Sequence, residues 1–519
     1  MQDIVSFLMK PSSYPHEPEE VDHVETHISH VFIAKPYVYK VKKPVDFGFL
    51  DFTSFEDRKY YTYEELRLNS RTTPDAYLGV NRLLEENGSY SLSEDETIPD
   101  EKVAAFVLKM KYLPHKYCLK NVVKRGGLNT HIVELVARKI YNFHAEADNS
   151  EGLKGFGGVD EVRTNALENF DQLDEYMGTT IDPDQHKKMR AWTDSFINEH
   201  EDYFKKRNSR GFVKDCHGDL HLEHLYYMDG DIKVIDCIEF NRRLRYIDTI
   251  ADTAFLIMDM DVAGEKYLSN YLLTRYIMNT GDYGAIPLIR FYLCYRAMVR
   301  GKINSFQTSN EGLGEEQRNG LINTARDYFN LAESYMTTPA SSTVYVVFGR
   351  IGSGKSTVAA ELAGQKGGII LNTDAIRKKM AGLDIYQDAG ADAEEGIYTP
   401  EMTRKVYTAL QNHAVTCVEY GHNAIIDATY WNSEARADLY SFFNSKNIPI
   451  RFVQASCDEK VILERVQERE KGESVSDADT GTIQALQSRF QEPGEEIPSD
   501  ILDVVDTGGD VKNQVKKIQ

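Results

Sequence analysis

The sequence predicts a multidomain chain in which an α+β part, strand-rich and then helical, is followed by an α/β part built on a parallel sheet. Three observations predict it. The chain has 519 residues, more than one core normally holds and enough for about three folding units of roughly 150 residues each. Its first hundred or so residues alternate apolar and polar side chains as antiparallel strands do, and long amphipathic helices follow. Beyond residue 343, short apolar runs alternate with helical stretches, and the first of them leads into a glycine-rich turn.

Taken in order, residues 26–39 alternate through Ser29-His30-Val31-Phe32-Ile33-Ala34, turn at Lys35-Pro36, and resume as Tyr37-Val38-Tyr39-Lys40-Val41-Lys42. Residues 55–71 predict a helix whose exposed face mixes acidic and basic side chains. Strands are expected at 77–84 and 103–112, with the polar, acidic stretch 85–101 between them as an exposed hairpin loop. After Leu113-Pro114 the pattern becomes helical, at 130–146, 185–206, 247–259 and 264–278, and continues to 336. Thr337-Thr338-Pro339-Ala340-Ser341-Ser342 is small, polar and proline-bearing, so it predicts a linker. Buried strands are expected at 344–348, 368–371, 423–426 and 448–455. The expected organisation is a strand-rich lobe over 1–114, a helical lobe over 115–336, the linker 337–342 and an α/β domain over 343–519.

Composition narrows the function classes. Acidic residues number 81 against 60 basic ones, and the net charge of -21 disfavours a polynucleotide partner. No run approaches the roughly 18 apolar residues that span a bilayer, and the N-terminal ten residues have no basic segment before their apolar stretch, so no membrane partner and a cytoplasmic location are expected. The six cysteines are scattered without a Cys-x-x-Cys pair and predict reduced, mostly buried thiols.

Gly349-Arg350-Ile351-Gly352-Ser353-Gly354-Lys355-Ser356-Thr357 lies between a strand and a helix, the context in which a phosphate-binding loop works. Gly349, Gly352 and Gly354 let backbone N–H groups turn inward around phosphate oxygens; Lys355 reaches the β and γ phosphates and Ser356 can hold Mg²⁺. With Ser353 and Thr357 these residues form the expected site for ATP or GTP. Asp374, in Thr373-Asp374-Ala375-Ile376-Arg377, can accept a proton from a hydroxyl, and Arg377 can hold a substrate anion; the alternative is a helix-capping aspartate beside a surface arginine. Asp427 ends the apolar run Ile425-Ile426-Asp427 and can contact the metal or orient Ser356, or simply cap. Arg465 and Arg469 stand four apart on a predicted helix, placed either to stabilise transferred charge or to pair with neighbouring glutamates.

On these residues, 343 to about 496 resembles the P-loop small kinases, which include zeta-toxin-like, gluconate-kinase-like and polynucleotide-kinase-like members. The resemblance implies transfer of the ATP γ-phosphoryl group to a hydroxyl, with Asp374 as base, Arg377 as substrate clamp and the Arg465/Arg469 helix, before Ser476-Asp477-Ala478, as a lid.

Upstream, Asp215-Cys216-His217-Gly218-Asp219-Leu220-His221-Leu222-Glu223-His224 is followed by Lys233-Val234-Ile235-Asp236. A loop and a strand end thus each deliver an aspartate, one to orient or deprotonate a hydroxyl and one to hold Mg²⁺. The alternatives are a zinc site made of His217, His221 and His224, or a purely structural turn. The region from about 25 to 336 resembles the aminoglycoside-phosphotransferase-like kinases, relatives of the protein-kinase fold. That resemblance implies a bilobal fold with Asp219 as catalytic aspartate, Asp236 as metal ligand and Lys40 as the phosphate-binding lysine. Lys42 is the competing lysine, and Glu64 or Glu65 supplies its ion-pair partner. Where the family has asparagine as second metal ligand, this chain has His224, which weakens the expectation of ordinary two-metal Mg²⁺ catalysis and leaves three alternatives: Glu223 substitutes, a softer ion such as Mn²⁺ is preferred, or this lobe is feeble. The whole is similar to the bifunctional aminoglycoside phosphotransferase/ATP-binding proteins, a label whose drug name does not define a substrate.

Two ATP-dependent kinase modules acting on small-molecule hydroxyls, possible partners in a series, are therefore expected. The alternatives are a single P-loop kinase governed by an ATP-sensing lobe, and a toxin-like kinase of a nucleotide sugar or nucleic acid end.

Overall fold

The computed structural model describes residues 1–48, 50–153, 155–310, 312–339, 341–387, 396–469, 475 and 489–518. The chain divides into two units: 1–128, 142–171 and 193–256 form the first, and 129–141, 172–192 and 257–519 the second.

The first unit is organised by a six-stranded antiparallel sheet in the order β1-β2-β3-β6-β4-β5. Its strands are β1 (Asp22–Glu25), β2 (Ser29–Ala34), β3 (Tyr37–Lys42), β4 (Tyr77–Glu86), β5 (Ser89–Ser93) and β6 (Val103–Lys111). β5 occupies part of the stretch expected to be loop, pairing Arg82 through Glu86 with Ser93 through Ser89. It is a half-exposed edge strand of five residues whose alternation, Tyr90 and Leu92 against the core between serines, is too short to stand out from the polar, acidic residues around it. Helix α1 (Phe55–Asn69) begins at Ser54, whose hydroxyl accepts from the Asp57 amide, with Glu56 and Asp57 meeting the positive helix end. The face it buries contains Thr62, Glu65 and Leu68, a carboxylate among apolar neighbours. Two short antiparallel ribbons, β7 (Val213–Asp215) with β10 (Tyr246–Asp248) and β8 (Leu225–Met228) with β9 (Asp231–Val234), frame the loop that carries Asp219 and the strand end that carries Asp236.

The second unit contains a five-stranded parallel sheet in the order β12-β13-β11-β14-β15. β11 (Val344–Phe348) is central and buried along its whole length; β12 (Ile369–Asn372), β13 (Ala424–Asp427), β14 (Ile450–Ser456) and β15 (Leu502–Asp506) flank it. An all-parallel sheet covered on both faces needs continuous apolar strands, which is what Val-Tyr-Val-Val-Phe supplies. Three upstream helices complete the account: α2 (Thr130–Glu146), α3 (Thr249–Val262) and α4 (Lys266–Thr280). α4 packs into the second unit's core, where its Met278 joins Val347, Val358, Ile370 and Ile425. Its Thr274 hydroxyl accepts from the Ile370 amide at 2.7 Å, so α4 satisfies a donor on the outer strand of the sheet. The stretch 337–342 falls within this second unit.

The fold class is the expected one in outline: an α+β part built on an antiparallel sheet, followed by an α/β part built on a parallel sheet whose central strand leads into a glycine-rich turn. The helix expected at 185–206 is two, Pro183–Glu199 and Glu201–Ser209, broken at His200. Among the described residues no helix is long and apolar enough to cross a membrane.

Candidate active sites

Lys40 and Lys42 stand two apart on β3, hence on one face, and both reach Glu65 of α1. Lys40 Nζ donates to Oε1 at 2.8 Å and Lys42 Nζ to Oε2 at 2.7 Å. Two ammonium groups thus share one carboxylate that is 1% exposed. Their other partners separate them. Lys42 continues to Glu239 and is sealed in, whereas Lys40 donates to Asp236 Oδ1 at 3.0 Å and keeps access to the site. Burial opposes the charge of Lys40, but Asp236 and Glu65 outweigh it and hold its pKa well above the ordinary lysine value. Burial also opposes ionisation of Glu65, and the two lysines overcome it. Glu64 turns instead to Arg67, at 2.7 Å, and to Arg245, at 3.3 Å.

The loop bearing Asp219 is built on its own backbone. Gly218 has φ +88°, and a Cβ there would lie 2.9 Å from the Leu244 carbonyl oxygen, so glycine is required. Asp252 of α3 accepts from the His217 and Gly218 amides, both at 2.9 Å, and meets His144 Nε2 at 3.1 Å. This buried aspartate, which positions the loop, was missed by the sequence reasoning; its signal is a lone carboxylate within the apolar run Thr249-Ile250-Ala251-Asp252-Thr253-Ala254-Phe255. His217 donates through Nε2 to the Ile235 carbonyl at 2.9 Å and accepts the Asp219 amide on Nδ1 at 3.3 Å, so both ring nitrogens serve the loop backbone. A zinc site of three histidines therefore lacks this member.

Asp236 adopts φ +64°, a left-handed conformation that a non-glycine residue holds only when its surroundings impose it. The Tyr77 hydroxyl accepts its amide at 3.1 Å. Its carboxylate is half-exposed and divides its oxygens: Oδ1 takes Lys40, and Oδ2 lies 3.5 Å from His224 Nε2. Lys40 holds this carboxyl well below the usual range. Asp219 Oδ2 stands 3.4 Å from His221 Nε2 and 3.7 Å from His224 Nδ1. Glu223, the alternative metal ligand, pairs with Lys120. Lys40, Glu65, Asp219, His224 and Asp236, scattered over the sequence, are thus assembled, with Lys42 behind them.

In the second unit β11 feeds the glycine turn into helix α5 (Lys355–Lys366). Gly349, Gly352 and Gly354 have φ of +148°, +81° and +86°. A Cβ on Gly349 would meet the Ala455 carbonyl oxygen at 2.5 Å, and one on Gly354 would meet Thr507 at 3.0 Å. Lys355 Nζ donates to the Arg350 carbonyl at 3.0 Å, and the Thr357 amide to the Gly354 carbonyl at 3.1 Å. Ser353 Oγ is buried without a hydrogen-bond partner beside this turn. A glycine-walled turn at a helix N-terminus with an unsatisfied hydroxyl fits a polyphosphate.

Asp427, at the end of β13, does not cap. Its Oδ2 accepts from Ser356 Oγ and from Asn372 Nδ2, each at 2.8 Å, joining the loop serine to the strand-end carboxylate as a divalent-cation site requires. The cap of helix α6 (Thr373–Met380) is Asn372, which accepts the Ala375 amide at 2.9 Å, so Asp374 in the first turn is not its cap. Arg377 is buried rather than on the surface. Its NH1 donates to the Ile397 carbonyl at 3.2 Å and Thr403 Oγ1 at 3.1 Å, its guanidinium lies 4.9 Å from the Tyr398 ring centre, and its Nε has no partner.

Arg465, on helix α7 (Glu459–Arg469), donates to Thr507 Oγ1 at 2.8 Å and to the Thr507 carbonyl at 2.7 Å. Thr507 Oγ1 in turn donates to the Ser353 carbonyl at 2.7 Å. The guanidinium is therefore tied to the phosphate turn through Thr507, a residue the sequence reasoning missed; its signal is the small, polar Asp506-Thr507-Gly508-Gly509 after an apolar run. The side chain of Arg469 and residues 476–478 lie outside the described residues.

Residues 344–493 match the profile of a family described as AAA domain. Over 480 residues, 92% of each chain, the protein is 27% identical to uncharacterized proteins of Mycobacterium tuberculosis and Mycobacterium bovis. Among solved structures, a choline/ethanolamine kinase family protein from Mesorhizobium loti is 11% identical, covering 65% of this chain and 96% of its own with a TM-score of 0.39. A gluconokinase from Sinorhizobium meliloti is 19% identical, covering 35% of this chain and 90% of its own with a TM-score of 0.25.

Proposed function

We propose that the protein is an ATP-dependent kinase with two phosphotransfer sites, one in each unit, each moving the γ-phosphoryl group to a hydroxyl of a small molecule. The observation that carries the reading is that each unit joins a phosphate-binding element to a strand-end carboxylate: Lys40 with Asp236 at 3.0 Å, and the loop serine Ser356 with Asp427 at 2.8 Å. ATP supplies the group transferred, and a divalent cation supplies charge neutralisation when bound.

In the first unit Glu65 sets the direction of Lys40, which meets the phosphates; Asp236 holds the cation, and Asp219 orients and deprotonates the acceptor hydroxyl. In the second, the backbone of 349–357 and Lys355 bind the phosphates, and Ser356 and Asp427 hold the cation. Asp374 serves as base and Arg377, with its unpaired Nε, holds an acidic group of the acceptor. Arg465 steadies the phosphate turn through Thr507, and Arg469 stands one helical turn beyond it in sequence.

The test is labelled-phosphate transfer from ATP into a small-molecule cell extract by the intact chain, Asp219→Ala and Lys355→Ala. Each variant is expected to lose a different labelled product. If Asp219→Ala loses none while Lys355→Ala abolishes all transfer, the first unit is a nucleotide sensor and the two-site reading falls.

A further inference from the structure

The first unit's metal position carries an imidazole, and its tautomer is set by the fold. His224 Nδ1 lies 2.8 Å from the backbone carbonyl of Asp219, an acceptor only, so Nδ1 bears the proton and Nε2 presents a lone pair. That lone pair stands 3.5 Å from Asp236 Oδ2, the oxygen Lys40 leaves free. Two ligand atoms each about 2.1 Å from one ion at a tetrahedral angle are about 3.4 Å apart. Asp219 stands on the other side of the ring, its Oδ2 3.7 Å from His224 Nδ1.

His221 differs. Its Nδ1 accepts the Glu223 amide at 3.3 Å, which puts the proton on Nε2, 3.4 Å from Asp219 Oδ2. It is a donor that orients Asp219 and leaves no lone pair for a metal.

We propose that His224 Nε2 and Asp236 Oδ2 form a mixed nitrogen and oxygen site, completed by nucleotide phosphate or water, that selects a borderline divalent transition ion, Mn²⁺, Co²⁺ or Zn²⁺, over Mg²⁺. Mg²⁺ demands six hard oxygen donors, and imidazole suits the later ions. The inference rests on the kinase reading of this site only for the nucleotide, not for the ion.

Pulsed electron paramagnetic resonance of Mn²⁺ bound to the full-length Lys355→Ala protein, with a non-hydrolysable ATP analogue, reads nitrogen ligation directly; the Lys355 change silences the other nucleotide site. The expected result is ¹⁴N modulation that persists in an added His221→Asn change and vanishes in an added His224→Asn change. Competition titration should show the Mn²⁺ to Mg²⁺ affinity ratio falling about tenfold on His224→Asn. Absence of ¹⁴N modulation in the protein with His224 intact overturns the proposal, and that result does not depend on any His224 variant folding. Modulation without phosphate transfer at this site sustains the metal inference while the kinase reading fails; transfer supported by Mg²⁺ with no modulation does the reverse.

Discussion

Glu65→Gln keeps the shape of a side chain on which two buried ammonium groups depend and removes its charge. At 2.8 and 2.7 Å from Lys40 and Lys42, each attraction is worth about 6 kcal/mol at an effective dielectric of about 20, before desolvation is subtracted. Lys42 retains Glu239 and Lys40 retains Asp236, so the substitution leaves each lysine one partner rather than none. The net loss should therefore match the roughly 3–5 kcal/mol measured when one member of a buried pair is removed, and not the sum of both attractions. For a unit of this size that is a fall of about 10 °C in the midpoint of its transition. Differential scanning calorimetry of the full chain, with and without an ATP analogue, is the assay. Two changes are expected: the first unit's transition drops by about that amount, and the analogue's stabilisation of it shrinks because Lys40 swings toward Asp236. A Glu65→Gln protein within about 0.5 kcal/mol of the parent would refute the reasoning, as would a Lys42→Met change that costs as much alone as it does beside Glu65→Gln.

Thr507→Val deletes the hydroxyl that links Arg465 to the Ser353 carbonyl; nucleotide affinity at the second unit, read by calorimetric titration, should fall about tenfold with little change in that unit's stability. Burial depresses His413 to about 4 and His422 to about 3, so both are neutral in the folded protein at pH 5 while the unfolded chain takes up protons below about 6.5. Their contribution is thus complete above about pH 6.5 and is lost as pH falls toward the folded values, costing about 1–2 kcal/mol each at pH 5 after allowance for partial exposure; His413→Phe should remove half of that acid sensitivity in denaturant titrations. A fragment starting at residue 343 leaves the Ile370 amide without Thr274 and the core without Met278, so it should be at least about 3 kcal/mol less stable than one starting at 257, compared by urea unfolding.

The parts of both sites that are written in consecutive residues were legible. A glycine turn needs its φ angles within a few positions, so 349–357 announces itself, and the same holds for Gly218 beside Asp219. What was illegible depends on which face of an element meets which neighbour. The sequence places Glu64 and Glu65 side by side on one helix, and only the packing of α1 on β4 and β6 turns Glu65 inward to the lysines of β3 and leaves Glu64 to Arg67. Likewise Asn372 and Asp374 are both competent caps by composition; the strand end of β12 commits Asn372 to the Ala375 amide, and Asp374 is left to its place in the first turn.

The allegiance of α4 shows the same limit at a larger scale. An amphipathic pattern states that a helix buries one face, and says nothing of the surface that receives it. A small, polar, proline-bearing stretch at 337–342 states that the chain can turn there, which is a property of six residues and not of the contacts on either side. α4 lies before that stretch and yet contributes Met278 to the core around Val347 and satisfies the Ile370 amide. The parallel sheet explains why. Its outer strand β12 carries backbone donors that must be met, and a helix presenting a threonine hydroxyl at 2.7 Å meets one of them, within a segment of the second unit that begins at residue 257. The α/β part therefore depends for its completion on residues that local pattern assigns elsewhere.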